Sequence, residues 1–311
     1  MQQTSSLPLY AALLSVSFLW GTSFAAAKIG MYELAPLNLV ILRFVIAAAV
    51  FTAILLARRT DNTIERRDIP RFILLGFTAI TSYFYIQYTG LQYTTTIHAA
   101  LIIATSPLCA ALGGVLLGWE RVSLPGAVGI LTAFGGVSVI ITNGQFRGIF
   151  ASQTLPGDLM LLVNAIVWAG FTIYGKSILK KYSPFVAMAY IHIFGTLMLL
   201  PFAFFASPIT PVPLTVQVFA VSWPTVASAF YLALLCSIFA YYVWYIGVER
   251  IGAVRTAAFA YFNPLFAAVI GILLLHEPVT AFTLAGGVMI VGGVYLANKT
   301  TAVREETRQK E

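Results

Sequence analysis

Residues 20–36 read WGTSFAAAKIGMYELAP, and residues 168–184 read WAGFTIYGKSILKKYSP. A shift of 148 places Trp20 on Trp168, Lys28 on Lys176 and Pro36 on Pro184. After nine inserted residues the shift becomes 157. Tyr85 then meets Tyr242, Gly90 meets Gly247, Pro107 meets Pro264, Glu120 meets Glu277, and Gly135-Gly136 meets Gly292-Gly293. The insertion falls near the Pro-rich stretch holding Pro208, Pro211 and Pro213. Self-similarity of this kind reads as one structural unit written twice.

Both copies lie in strongly apolar sequence. Of 311 residues, 59% are hydrophobic and only 9% are charged. A soluble domain carries about a quarter charged residues, and a soluble monomer avoids the large apolar patches this composition would expose. The chain therefore belongs in a lipid bilayer. Long apolar runs exclude a membrane barrel, whose strands alternate over short segments. Cys109 and Cys236 both fall inside apolar runs, so neither is placed like an extracellular bridge, and no Cys/His cluster marks a metal site.

A span of about 20 residues crosses the hydrocarbon core. With charges, Pro and Gly as punctuation, ten spans are expected: 9–30, 36–57, 70–91, 96–117, 123–142, 157–177, 184–206, 223–248, 252–275 and 279–298. The first of them reads as a retained helix rather than a signal peptide, because no basic residue precedes it and it exceeds a usual h-region. The net charge of +7 is a topology signal, not a nucleic-acid footprint. With the N-terminus inside, 15 of the 18 Lys and Arg residues fall in cytoplasmic segments. Lys28 and Arg147 fall outside and Arg43 lies within a helix. Both termini are thus expected to be cytoplasmic.

Five spans per copy is an odd number, so the second copy enters from the opposite face. The expected fold is an all-α integral membrane protein, with ten transmembrane helices as two inverted five-helix repeats. The units are residues 1–143, an outer linker 144–156, residues 157–298, and a cytoplasmic tail 299–311. Inverted repeats are characteristic of secondary transporters, whose substrate site lies between the halves near the midplane.

The motifs resemble the drug/metabolite transporter superfamily, specifically its EamA-type ten-helix exporters. Trp20-Gly21 and Trp168-Ala169 carry the resemblance in the first helix of each half, and Pro36 with Arg43-Phe44 carries it at the start of helix two. Pro107 with Glu120, and Pro264 with Glu277, match a fourth helix with a mid-helix Pro and a closing Glu. Position 191 is Ile where the repeat would place a partner for Arg43. The resemblance implies alternating access through a cavity lined by helices 1–4 and 6–9, with helices 5 and 10 as scaffold. It also implies export of amino acids, other metabolites or drugs across a bacterial inner membrane.

Arg43 lies about 10 Å into the membrane at 1.5 Å per residue from Pro36. It either attracts a substrate carboxylate, which its planar fork matches, or bonds to backbone carbonyls freed at Pro107 or Pro264. His98, near the outer end of helix four, and His192, at mid-depth, either titrate and couple cargo to protons or make helix-packing hydrogen bonds. Tyr83, Tyr85, Tyr88 and Gln87 on helix three, and Tyr241, Tyr242, Trp244 and Tyr245 on helix eight, form two aromatic concentrations. Trp20, Trp168, Tyr83 and Tyr242 are the residues expected to line a wet cavity, since phenol and indole groups need partners; helix packing is the other reading. Gln87, Asn164 and Asn263 are polar at similar depth, although Asn263 also suits backbone groups released by Pro264.

The remaining features read as structural. The glycine pairs suit close helix packing, chiefly of helices 5 and 10. Lys28 and Lys176 are expected to snorkel to headgroups, and Glu120 and Glu277 to anchor loops. All 11 acidic residues fall in loops, tails or helix ends, so uncoupled facilitated diffusion, or weak coupling through a histidine, is expected. Amino acids with bulky apolar side chains are the leading cargo: Arg43 for the carboxylate and aromatic faces for the ammonium. A multidrug carrier for lipophilic cations would want a buried carboxylate, and a sugar-phosphate carrier several buried cations. No enzyme grouping, cofactor or nucleic-acid partner is expected, only a small-molecule substrate and the lipid bilayer, in a monomer or homodimer.

Overall fold

A computed structural model of the chain describes residues 7–58, 63–116, 124–144, 153–206, 211–251, 256 and 259–308. Among these the ordered elements are all helical. We label the main rods in chain order. The first two are α1, Leu7–Gly30, and α2, Pro36–Ala57. The rod α3 runs through Ile69–Gly76, Phe77–Ser82 and Tyr83–Tyr93. A turn at 104–105 divides α4 into Thr96–Ile103 and Ser106–Leu116. Then come α5, Leu124–Thr142; α6, Leu155–Lys181; and α7, Pro184–Phe204. The rod α8 runs through Trp223–Phe230, Tyr231–Phe239 and Ala240–Ile251. Last are α9, Asn263–Leu275, and α10, Ala281–Arg308.

Among the described residues, seven helices are long and apolar enough to cross a membrane: Pro8–Gly30, Pro36–Ala57, Arg66–Tyr93, Leu124–Thr142, Leu155–Thr172, Pro184–Phe204 and Trp223–Trp244. Thr96–Ala110, Asn263–Leu275 and Ala281–Leu296 are shorter apolar helices. The chain is a multi-pass membrane protein. Helix starts follow local chemistry. Pro36 and Pro184 open α2 and α7, where the missing N–H costs nothing. Ser183 and Thr95 cap α7 and α4 by accepting from the N–H groups of Val186 and His98.

Two features depart from simple rods. Over Phe77–Ser82 in α3 and Tyr231–Phe239 in α8 the backbone widens into π-helical turns, a geometry that recurs at functional sites. Residues 299–308, within the expected cytoplasmic tail, continue α10 as helix. Residues 117–123 and 145–152 lie outside the described residues, so Glu120, Arg147 and most of the linker 144–156 are not placed. The side chain of Lys176 lies outside them too.

Glycines bring α5 and α10 into close contact. A methyl on Gly136 would meet the Gly286 carbonyl at 2.6 Å, and one on Gly293 would meet the Gly129 carbonyl at 2.5 Å. Gly292 instead faces open space. Small residues there let the two backbones touch, while α1, α2, α3, α6, α7 and α8 enclose a core of aromatic side chains.

Candidate functional site: an arginine in an aromatic core

Arg43 sits on the inner face of α2 with 3% of its surface exposed. Its Nε donates to Ser237 Oγ at 2.8 Å and its Nη1 to the Tyr88 hydroxyl at 2.7 Å. The guanidinium also lies 4.4 Å from the Phe84 ring centre and 5.0 Å from that of Phe44, within cation–π range. These partners replace the backbone carbonyls near Pro107 or Pro264 that the sequence offered. All are neutral, and Arg43 forms no salt bridge among the described residues.

A run of ring contacts passes beneath it. Trp20 packs on Tyr241 at 5.4 Å between ring centres, Tyr241 on His192 at 5.5 Å, and His192 on Phe44 at 5.7 Å. Phe44 then meets Phe84 at 4.7 Å, Phe84 meets Tyr83 at 4.9 Å, and Tyr83 meets Trp168 at 4.9 Å. The expected residues Trp20, Tyr83, Trp168, His192 and Arg43 thus share one connected core. Gln87 joins it by donating to the Tyr83 hydroxyl at 3.4 Å. Trp20 is oriented by an Nε1–H bond of 3.1 Å to the Cys236 carbonyl, a carbonyl within the widened segment of α8.

Several polar atoms in and around this core have no partner. His192 is fully buried, with Nδ1 2.8 Å from the Met188 carbonyl. That contact requires the proton on Nδ1 and leaves Nε2 an unpartnered acceptor. Asn164 lies on α6 one turn before Trp168, wholly buried, with neither amide atom bonded. Asn263 Oδ1 is likewise unpartnered at the start of α9. Buried polar groups are nearly always satisfied, so such atoms in a core suit a bound solute or water.

Two expected residues lie elsewhere. Tyr242 is 55% exposed and turns away from the core; its neighbour Tyr241, 8% exposed, takes the inward place. Tyr241 is the repeat equivalent of Phe84, which is also buried, so the same position faces inward in both halves. His98 lies apart at the start of α4, its Nδ1 3.2 Å from Asp158 Oδ1 on α6. Asp158 is itself fully buried and accepts from Thr94 Oγ1 at 2.5 Å.

A second buried carboxylate grips the same stretch. Glu277 accepts from the Thr96 N–H at 2.8 Å, from Thr96 Oγ1 at 2.8 Å and from the Ile97 N–H at 3.3 Å. Lys28 donates to it at 3.0 Å, so Lys28 does not snorkel as expected. His276, in the left-handed conformation at φ 52°, ends α9 and turns Glu277 inward. The sequence placed Glu277 and Asp158 correctly at helix ends but gave no sign of their burial.

The chain matches the EamA-like transporter family twice, over residues 7–142 and 155–299. It belongs to that family. An "Uncharacterized transporter" of Archaeoglobus fulgidus is 33% identical to it over 298 residues, covering 94% of this chain and 98% of that protein. A "Probable amino-acid metabolite efflux pump" of Salmonella typhimurium is 28% identical, covering 91% and 92%. A "Probable terminal-alkyne amino-acid exporter" of Streptantibioticus cattleyicolor is 27% identical, covering 94% of each. A solved crystal structure superposes on the transporter with a TM-score of 0.63 at 22% identity, covering 93% of this chain and 97% of that one. That likeness speaks for the fold alone. Within the transporter, Asp158 and Glu277 belong to the second matched stretch, while Thr94, Thr96, Ile97 and His98 belong to the first.

Sequence reasoning passed over Phe44, Phe84, Tyr88, Ser237 and Tyr241 as site residues. The repeat held the signal for three of them. The shift of 148 that pairs Trp20 with Trp168 also pairs Phe44 with His192, and the shift of 157 pairs Phe84 with Tyr241. A serine inside an apolar run, such as Ser237, carries no signal of its own.

Proposed function

We propose that the chain exports small organic solutes across the plasma membrane, amino acids with aromatic or hydrophobic side chains before others, by alternating access. In this reading the seven long apolar helices and the three shorter ones make ten spans. They form two inverted five-helix units with both termini cytoplasmic. Support comes from the double family match and from the ring contacts themselves. Their central pair, Phe44 and His192, are repeat equivalents, flanked by the equivalents Phe84 and Tyr241.

The observation that carries the cargo class is the buried Arg43 guanidinium held only by neutral groups. An unpaired cation is expensive at membrane depth, and a cargo carboxylate supplies the missing charge through paired N–H···O bonds. The ring walls suit a bulky side chain, and their faces suit an ammonium. The names of the Salmonella and Streptantibioticus relatives point the same way. A lipophilic cation would be repelled by Arg43. The transport role needs no covalent chemistry.

Efflux of labelled Phe, Tyr and Trp from cells overproducing the protein tests this, together with resistance to toxic analogues of these amino acids. Faster efflux is expected, lost in Arg43→Ala at matched expression. Unchanged efflux and unchanged resistance would overturn the cargo assignment.

A further inference from the structure

The stretch Thr94-Thr95-Thr96-Ile97-His98 of the first matched unit is clamped from both sides by buried carboxylates of the second: Asp158 on α6 and Glu277 in the turn between α9 and α10. With cytoplasmic termini, all of these residues lie at the outer ends of their helices. An exporter must part the two units at this face to release its cargo, and parting them breaks these bonds. The seam is therefore an outer gate seen closed.

The two clamps differ in kind. Glu277 is met by backbone N–H groups, a hydroxyl and the Lys28 ammonium, none of which changes charge near neutral pH. Asp158 is met by Thr94 and by the imidazole of His98, the side-chain type that does. The charged and titratable groups around His98 are few. Asp158 comes from α6, Lys28 from α1, Glu277 and His276 from the α9–α10 turn, and Tyr93 from the end of α3. Helices α5 and α9 bring none, and α10 brings only Tyr295 before Lys299.

We infer that His98 and Asp158 form a proton-binding site that holds the outer gate shut when loaded. With the ring neutral, Nδ1–H donates to the carboxylate. A proton taken from the outer solution by the second ring nitrogen makes an imidazolium. The neutral-to-ionic hydrogen bond then becomes an ion pair beside a carboxylate with no exposed surface, and such charge-assisted pairs are the stronger ones. When the units part, His98 leaves Asp158 and the proton returns to the same outer water. Linkage makes the effect reciprocal: protonation favours closure, and closure favours protonation. Because the proton leaves by the side it entered, outer pH sets how often the gate opens and a proton gradient does no work on the cargo. The proposal rests on the orientation given above and not on the identity of the cargo.

The test is labelling by a membrane-impermeant maleimide of Ile97→Cys, a position 3% exposed behind the seam. It is divided by labelling of Tyr32→Cys, exposed in the α1–α2 loop, which cancels the pH dependence of thiol reactivity. A chain with only Cys109 and Cys236 supplies the background. Right-side-out and inside-out vesicles are both used. The ratio is expected to rise several-fold from pH 5.5 to 8.0, with Tyr32→Cys labelled only in right-side-out vesicles. His98→Gln and Asp158→Asn should flatten that rise. A flat ratio in the chain with His98 and Asp158 intact would overturn the proposal without recourse to the variants. So would a rise that survives in His98→Gln, or Tyr32→Cys labelled only in inside-out vesicles, which would place the seam and its proton source on the wrong side. No cargo is needed, so failure of the amino-acid reading leaves the result intact.

Discussion

Lys28 Nζ lies 3.0 Å from Glu277 Oε1, tying the end of α1 in the first unit to the α9–α10 turn in the second. The carboxylate is the buried member and the lysine the partly exposed one. Glu277 also takes two backbone N–H bonds at the start of α4, where the helix dipole favours an anion. Its loss strands donors that the lysine's loss does not. Glu277→Ala is expected to cost about 3 kcal/mol, as for a buried pair broken by removing one partner. Lys28→Met should cost less, about 1.5 kcal/mol, as for one hydrogen bond to a charged group, because the Thr96 and Ile97 donors still hold the carboxylate. Thermal unfolding in detergent reads the order; equal losses would mean the lysine, not the helix terminus, holds Glu277.

Arg43 should behave in the opposite way. Replacing even a buried ion pair with apolar side chains is often neutral or stabilising by about 1–4 kcal/mol, and a guanidinium with no ionic partner has less attraction to lose. Ser237 Oγ retains its bond to the Leu232 carbonyl at 3.0 Å without the arginine. Arg43→Met is therefore expected to keep or raise the unfolding temperature while abolishing transport. Arg43→Lys, with a point charge and no fork, should retain transport at about a tenth of the wild-type rate or below, a loss of about 1.4 kcal/mol. A large drop in stability with transport preserved would make Arg43 a structural residue.

What was legible in the sequence follows from range. Helix positions came from apolar run length and from Pro36 and Pro184 opening α2 and α7, all local signals. Arg43 stood out because a guanidinium inside an apolar run needs a reason. The two buried carboxylates were illegible because a residue at a helix end looks solvated until the chain brings something against it. Asp158 meets His98 across 60 residues of sequence and Glu277 meets Thr96 across 181. Tyr241 and Tyr242 both lie well inside an aromatic-rich span, and composition does not say which of two neighbours faces the core. The pair that faces the core is Phe84 and Tyr241, one position earlier in each half.

The α5–α10 contact distinguishes Gly136 on α5 from Gly292 on α10. Gly136→Ala pushes a methyl against the Gly286 carbonyl and should lower stability by about 1–3 kcal/mol through overpacking. Gly292→Ala meets nothing within 4 Å and should raise it by about 0.5–1 kcal/mol, because alanine loses less backbone entropy in a helix. Unfolding temperatures in one detergent give both signs.

At the opposite end of the molecule, Glu65 accepts from Lys181 at 2.7 Å and pairs with Arg67. The hydrogen bond from Lys181, then that from Arg67, holds the Glu65 carboxyl below the usual range. Lys181, beyond the apolar window Leu155–Thr172, is pushed above the ordinary ammonium range, first by Asp68 and then by Glu65. A depressed carboxyl contributes stability above its unfolded value of about 4.3 and loses it as pH falls through the folded value. A raised amine contributes below its unfolded value of about 10.4 and loses it as pH rises through the folded one. Hydrogen exchange at residues 63–68, corrected for intrinsic rate, should therefore be flat between about pH 5 and 9. Loss of protection near pH 7 would show that the contact depends on some other group.

Tyr241 and Tyr242 are neighbours with opposite surroundings, which makes them a direct test of the aromatic core. Tyr241 bridges Trp20 and His192, so Tyr241→Ala opens a cavity between the two units. It should cost about 3–5 kcal/mol, in line with other large aromatic truncations. Tyr241→Phe keeps the ring and should keep most of the stability. Tyr242 is 55% exposed on the outward face, and Tyr242→Ala is expected to stay within about 0.5 kcal/mol of wild type. Transport should follow the same order, because Tyr241 joins Trp20 to His192, whose ring meets Phe44 under the arginine. If Tyr242→Ala were the more damaging change in flux, the inward face of α8 would be the one carrying Tyr242, and the cavity assignment would have to move with it.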